Sequence, residues 1–263
     1  MQRDELESWT EALERARDAE GWTFIRRVMS LRQTKSTQDA AVMLSGGKPG
    51  MLVTAGHQTA GRGRLGRSWA DTSHMGVAVT VTIRNTLSAE RLSLAGGLAS
   101  CRAVEQVLGP VGAKRVGIRW PNDVVEAGQA GPGRKLSGVL IEVTPAITLM
   151  GIGINVLQQA ADWPEPLAGR AVSLRELGCT AERVDVLVAL ARCLDQALQA
   201  SPEHLALEWQ DRNLLTGTLQ TFIQDGKRVT GTVLGIDPAC SVRVQCEDGR
   251  VMDLPALTTS MEK

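Results

Sequence analysis

Ten residues, Ala60-Gly61-Arg62-Gly63-Arg64-Leu65-Gly66-Arg67-Ser68-Trp69, set three arginines among three glycines, and the next acidic side chain is Asp71. Each guanidinium is a planar fork of donors matched to phosphate or carboxylate oxygens. Glycine lets the backbone reach positive φ and approach a ligand closely. The stretch therefore predicts a cationic loop that closes over an anion. A solvated basic turn is the plainer alternative for any one arginine, and an RNA-binding Arg-Gly tract is another. Two phosphate motifs fail here. Gly46-Gly47-Lys48 runs into Pro49, which breaks a P-loop. Gly61, Gly63 and Gly66 satisfy G-x-G-x-x-G, but no helix opens at the third glycine, as a dinucleotide fingerprint requires.

Four further segments offer polar chemistry, each beside a plainer structural reading. Ser36-Thr37-Gln38 presents hydroxyls and an amide at a helix start, where N-capping alone would explain them. Trp120-Pro121-Asn122-Asp123 ends a strand with an amide and a carboxylate, suited to binding an amine and equally an ordinary turn. Lys135 opens Lys135-Leu136-Ser137-Gly138 after the glycine-rich 128–133, where a solvated edge lysine is the bland alternative. Gly151-Ile152-Gly153-Ile154-Asn155 puts two glycines inside a strand, the mark of a close approach by a ligand, another backbone or a packed helix.

The elements that position these residues follow from periodicity. Leu6, Trp9 and Leu13 predict an amphipathic helix over 4–20, and a second helix runs from Ser36 or Thr37 to Gly46-Gly47. Met51 to Ala55 and Met75 to Arg84 read as strands entering and leaving the Arg-Gly loop. Ser88 caps a helix that Gly109-Pro110 stops, and Val116 to Trp120 is a short strand. Leu136 to Val143 pairs with Ile147 to Leu157 around Thr144-Pro145. Two helices over 183–199 and 203–213 precede short strands, with turns at Asp225-Gly226, 235–238 and Asp248-Gly249, that predict a small all-β barrel over 215–257.

Composition narrows the partners. The 263 residues have room for a sizeable domain and a smaller one. Lys plus Arg and Asp plus Glu both number 29, so no global field favours nucleic acid. Five cysteines without a C-x-x-C pair fit reduced thiols rather than a disulfide framework or a zinc site. A charged amino terminus without an apolar h-region, and no long apolar run, predict a cytoplasmic protein without a membrane span. With only six lysines in the chain, Lys135 inside a motif stands out.

Taken in order, Ser36-Thr37-Gln38, Gln58-Thr59-Ala60 continuing to Arg67, Arg119-Trp120-Pro121-Asn122-Asp123, Lys135-Leu136-Ser137-Gly138 and Gly151 to Asn155 resemble the biotin protein ligases. The resemblance spans about residues 34–157, and the β-rich tail is similar to that family's SH3-like carboxyl-terminal domain. It implies an α+β fold: a mixed β-sheet catalytic domain flanked by helices over 1–213, with a small SH3-like barrel over 214–263. It implies activation of biotin by ATP to biotinyl-5′-AMP, with Mg²⁺ carried on the nucleotide and no protein metal site. The biotinyl group then passes to a lysine of a biotin carboxyl carrier protein. Few residues precede the first motif, so the chain resembles the monofunctional type without DNA binding; a homodimer stays open.

Carried over by position, Ser36, Thr37, Gln38 and Gln58 hold the biotin head group, while Arg62, Gly63, Arg64 and Lys135 complete that pocket. Arg67, Trp69 and Asn155 face the nucleotide. Arg64, Lys135 and Asp123 carry the chemistry, with Asp123 orienting the incoming amine or taking its proton. Gln38 stands where Asn is common, and Arg119 replaces the usual Lys, so Arg119 receives no catalytic weight here. Lipoate ligases and octanoyl transferases share the catalytic fold and are the nearest rivals.

Overall fold

The computed structural model describes residues 6–72, 74–128, 131–238, 240–256 and 258–262. Of the sequence expectations, residues 4 and 5 of the first helix, Gln129 and Ala130 of the glycine-rich link and Leu257 of the tail lie outside them. Seven strands form the main sheet: β1 (Arg27–Leu31), β2 (Met51–Ala55), β3 (Gly76–Ile83), β4 (Val116–Arg119), β5 (Asp123–Gly128), β6 (Gly131–Val143) and β7 (Thr148–Asn155). Their order is β1-β2-β3-β7-β6-β5-β4. β1 and β2 run parallel and the other neighbouring pairs antiparallel.

Among the described residues there are five α-helices, α1 (Leu6–Glu20), α2 (Thr37–Ser45), α3 (Ala89–Ala113), α4 (Arg183–Gln199) and α5 (Pro202–Asp211), the last packed on α3. α2 is the crossover between the parallel strands, which a hairpin cannot join. Its start is fixed by Ser36, whose hydroxyl accepts the Gln38 N–H, and its end by Gly46 at φ 58°. α3 begins after the Ser88 cap and breaks at Gly109 (φ 70°, ψ 177°), with one more turn beyond Pro110. The predicted stop is therefore a break.

All eight residues of β7 are buried, as a central strand covered on both faces requires. Side chains alternate between faces, and adjacent residues show what lies on each. Met150 approaches Gly96 of α3, whereas Gly151 lies under Gln38 of α2. α3 thus backs the sheet, and α2 and the Arg-Gly loop cover its other face.

The tail strands β8 (Leu219–Gln224), β9 (Lys227–Asp237), β10 (Ser241–Cys246), β11 (Val251–Pro255) and β12 (Thr259–Met261) form an antiparallel sheet ordered β11-β10-β9-β8-β12. Its pairing among the described residues is that of an open sheet with β11 and β12 at the edges. Phe222 meets Trp120 edge to face with ring centroids 6.5 Å apart, so the two sheets share one apolar core. Two strands were not foreseen. β1 is a five-residue edge strand among arginines, and β5 hides behind a proline turn.

Candidate functional site

The Arg-Gly segment leaves the end of β2 and returns at β3, as expected, and folds back on itself between them. Gly63 N–H donates to the Arg67 carbonyl at 2.7 Å and Trp69 N–H to the Gly61 carbonyl at 2.9 Å. A short 3-10 turn over Arg64–Gly66 closes the tip, with Gly66 at φ 71°. The arms pack too closely for a side chain at position 61, where a Cβ would stand 2.8 Å from the Trp69 carbonyl oxygen. Glycine here permits a tight two-armed ribbon.

Beneath the ribbon lies a cavity of about 150 Å³, floored by Ala78, Val79, Gly151, Ile152 and Gly153. Ser36, Thr37, Gln38 and Gln58 form its polar wall. The Gln58 side-chain oxygen accepts the Thr37 N–H at 2.8 Å and the Thr37 hydroxyl at 3.1 Å, and Thr80 donates to that hydroxyl at 2.9 Å. The Gln38 amide donates to the Leu140 carbonyl at 3.2 Å. These buried groups are oriented before any ligand arrives, which spares it their ordering cost. Both strand glycines serve side chains of the site. A Cβ at Gly151 would collide with the Gln38 amide, and one at Gly153 would stand 2.5 Å from the Trp69 indole.

A charged cluster stands at the far wall. Lys135 Nζ lies 2.6 Å from Asp123 Oδ1, and Arg119 Nη2 donates to Asp123 Oδ2 at 3.0 Å. Burial works against the Asp123 charge, but Lys135 and Arg119 outweigh it and hold the carboxyl below its ordinary range. Gly138 makes room for the pair, since a Cβ there would meet Lys135 Nζ at 2.6 Å. Arg64 turns inward and donates to the Ala256 carbonyl at 2.9 Å; burial lowers its pKa, opposed by the charge of Asp123.

Arg62 differs. It lines the cavity, but its guanidinium is held by Asp39 at 2.8 Å and by Glu142 at 2.8 and 3.0 Å. Hydrogen bonding to Glu142 raises its pKa against the effect of burial, and Asp39 adds to the rise. Arg67 is exposed at the cavity rim.

A second cavity of about 270 Å³ opens beside the first, and Ser68, Trp69, Arg119 and Lys135 line both. Asn155, Trp163, Pro166, Leu167 and Arg170 complete it. The Asn155 amide donates to the carbonyls of Lys135 and Val172 at 3.2 and 3.0 Å, pinning β6 to the following segment. Lys135 Nζ lies 5.8 Å from the Trp69 ring centroid. A cavity lined by two tryptophans and a polar pocket thus meet at one ammonium group.

Every residue given a binding or catalytic role in the sequence lines a cavity: Trp69 and Lys135 both, Asn155 only the second, and Ser36, Thr37, Gln38, Gln58, Arg62, Gly63, Arg64, Arg67 and Asp123 only the first. Sequence reasoning passed over Arg119, which lines both cavities, and missed Trp163 and Arg170. Lys135 is not an edge lysine: it stands within β6, paired with Asp123. Ser260, Met261 and Glu262 also reach the first cavity from the tail, with no motif to announce them.

Known proteins are similar to this chain in sequence and in fold. Residues 29–158 match the model of the Biotin/lipoate A/B protein ligase family. A biotin--[acetyl-CoA-carboxylase] ligase of Mycobacterium tuberculosis is 34% identical over 230 residues, covering 82% of this chain and 81% of the relative. The bifunctional ligase/repressor BirA of Bacillus subtilis is 29% identical over 81% of this chain and 68% of its own length. The biotin protein ligase of Aquifex aeolicus in complex with biotin and ATP superimposes with a TM-score of 0.75 at 25% identity, over 91% of this chain and 100% of that one. The Leishmania major enzyme with biotinyl-5-AMP gives 0.58 at 25% identity, over 88% and 99%. With identity of this extent over most of both chains, this protein belongs to the biotin protein ligase branch of the biotin/lipoate ligase family.

Proposed function

We propose that the chain is an ATP-dependent biotin protein ligase, which makes biotinyl-5′-AMP and transfers the biotinyl group to a lysine of a biotin carboxyl carrier protein of acetyl-CoA carboxylase. The observation that carries this reading is Lys135, standing where the polar pocket and the tryptophan-lined cavity meet. Biotin lies in the first, its ureido ring met by the donors and acceptors of Ser36, Thr37, Gln38 and Gln58. MgATP lies across the second, its base against Trp163, Trp69 and Leu167 and its phosphates toward Arg119 and Arg170 and toward Arg67 at the rim of the first. A biotin carboxylate oxygen attacks the α-phosphorus, the bond to the bridging oxygen breaks, and pyrophosphate leaves. Lys135 and Arg64 supply preorganised positive charge where negative charge builds up.

In the second step the carrier amine attacks the activated carbonyl and AMP departs with the bonding pair. Asp123, held ionised by its two cations, attracts and orients that amine. A carboxyl with a lowered pKa is a weak proton acceptor, so orientation is the larger part of its role. Arg62, committed to Asp39 and Glu142, anchors the ribbon at the biotin pocket.

The reading places the enzyme in the cytoplasm, where ATP and reduced thiols fit five cysteines that are free. It includes no DNA binding, in keeping with zero net charge. No helix among the described residues is long and apolar enough to cross a membrane. Residues 214–263 act as a second unit that closes the site while packing on the catalytic sheet through the shared core, and expressing 1–213 alone tests that division.

Incubation with biotin, MgATP and a carrier domain should yield a carrier heavier by one biotinyl group, with biotinyl-AMP as intermediate. Absence of both products sinks the reading. Equal use of lipoate in the adenylation step would shift it to the neighbouring ligases.

A further inference from the structure

Arg183 stands at the mouth of the Arg-Gly loop, far from the motifs that name the site. It is the first residue of α4 and is buried. Its Nε donates to the Gly76 carbonyl at 2.8 Å and its Nη2 to the Gly56 carbonyl at 2.9 Å. Gly56 follows β2 and Gly76 begins β3, so these carbonyls are the two roots of the loop. The β2–β3 register ends at Ala55 opposite Ala78. Beyond that pair the guanidinium bridges strands that no longer bond to each other. Its other side rests on the indole of Trp9 in α1, with Cζ 4.6 Å from the ring centroid.

An arginine is a costly choice here. A cation in the first turn of a helix opposes the helix dipole, and burying it forfeits hydration. A fixed fork that reaches two carbonyls on two strands, with a flat face for an indole, is something only arginine provides. The cost falls at the neck of the ligand-covering ribbon, where its two ends leave the sheet and where Asp71 also accepts the Gln58 N–H across the loop.

We propose that Arg183, seated on Trp9, is a positioning residue that clasps the two roots of the Arg-Gly loop and so sets how readily the loop opens. The inference rests on the function proposed above, because the consequence of opening is escape of biotinyl-AMP before transfer. The clasp also ties α1 to the site: Trp9 supports the guanidinium, the guanidinium holds the roots, and the roots carry Arg62 and Arg64.

Loop opening can be read without chemistry, since trypsin cleaves after Arg62, Arg64 and Arg67 once they leave the surface. Arg183→Lys keeps the charge but cannot span both carbonyls. It should speed loop cleavage and biotinyl-AMP escape about tenfold each, the scale of one lost hydrogen bond to a charged group. Formation of the adenylate should stay within about twofold of the parent, a split that general damage would not give. Asp195→Asn is the control. On the same helix, its carboxylate accepts the amides of Thr23, Phe24 and Ile25, so the substitution should lower the melting temperature with loop cleavage unchanged. Should Arg183→Lys fail to fold, Trp9→Leu removes the supporting ring and should speed cleavage in the same direction. Parental cleavage and escape rates in Arg183→Lys, or equal acceleration in Asp195→Asn, overturn the clasp. If the parent protein made no biotinyl-AMP, the proposed function would fall, while tryptic cleavage would still decide the clasp.

Discussion

Two charged clusters border the Arg-Gly ribbon and are built on opposite plans. In the outer one, Arg62 faces two carboxylates, Asp39 and Glu142, each at 2.8 Å, and the cluster is one charge negative. In the inner one, Lys135 and Arg119 share the single carboxylate of Asp123 at 2.6 and 3.0 Å. Arg64 comes close enough for its pKa to feel that carboxylate. The inner cluster therefore holds positive charge in excess, partly buried, where an anion would be bound most strongly. Arg62 and Arg64 are two residues apart in one loop, yet neighbours contributed by α2 and β6 meet the first with two carboxylates, whereas the second donates to the neutral Ala256 carbonyl.

The inner cluster should dominate the chemistry. Lys135→Ala removes the ammonium common to both cavities and should lower the rate of biotinyl-AMP formation by roughly 10²–10³-fold, the range seen when a preorganised charge-stabilising group is deleted. Rapid-quench measurement with labelled ATP reads that step directly. A loss of less than about threefold would take Lys135 out of the transition state.

A smaller contrast separates the two arginines. Arg64→Ala should speed biotinyl-AMP escape about tenfold, as the loss of one charge-assisted contact would. Arg62→Ala should speed it by about fivefold or less, because ion pairs that exposed contribute only about 0.2–1 kcal/mol. Pulse-chase with labelled biotin compares them side by side. Equal effects would mean that the Asp39–Arg62–Glu142 contacts do not distinguish the two positions.

The reach of the sequence divides along the same line. The residues that type and spacing assigned to a ligand all line one or both of the two cavities. Their engagement with one another was not legible. Nothing local shows that Asp39 and Glu142 converge on Arg62 from α2 and β6, or that Gly151 and Gly153 leave room for Gln38 and Trp69. Helices with caps were legible because caps are local: Ser36 and Ser88 mark two of them. β1 and β5 escaped because short strands beside charges and a proline carry too little alternation to be told from loop. Trp163 and Arg170 were invisible for another reason, since the segment that bears them has no regular period and is placed by bonds such as Trp163 Nε1 to Glu176 at 2.9 Å.

The smallest expected effect tests what kind of group Asp123 is. Its folded pKa lies below the model-compound value of 3.8, because Lys135 and Arg119 outweigh burial. A carboxyl with a depressed folded pKa contributes stability that is present above its unfolded value and lost as pH falls through the folded one. On the Asp123 side, the ion pairs of the inner cluster are therefore fully present above the ordinary carboxylate range and weaken only as pH falls through the lowered folded pKa. Single-turnover transfer between about pH 6 and 9 should rise with deprotonation of the carrier lysine and show no inflection from Asp123. Asp123→Asn should lower the whole profile and keep its slope, since orientation is lost and no titrating base disappears. A profile that flattens in the variant would make Asp123 the proton acceptor. The inner cluster would then do proton transfer as well as charge stabilisation, and the clusters would differ in chemistry as well as in charge.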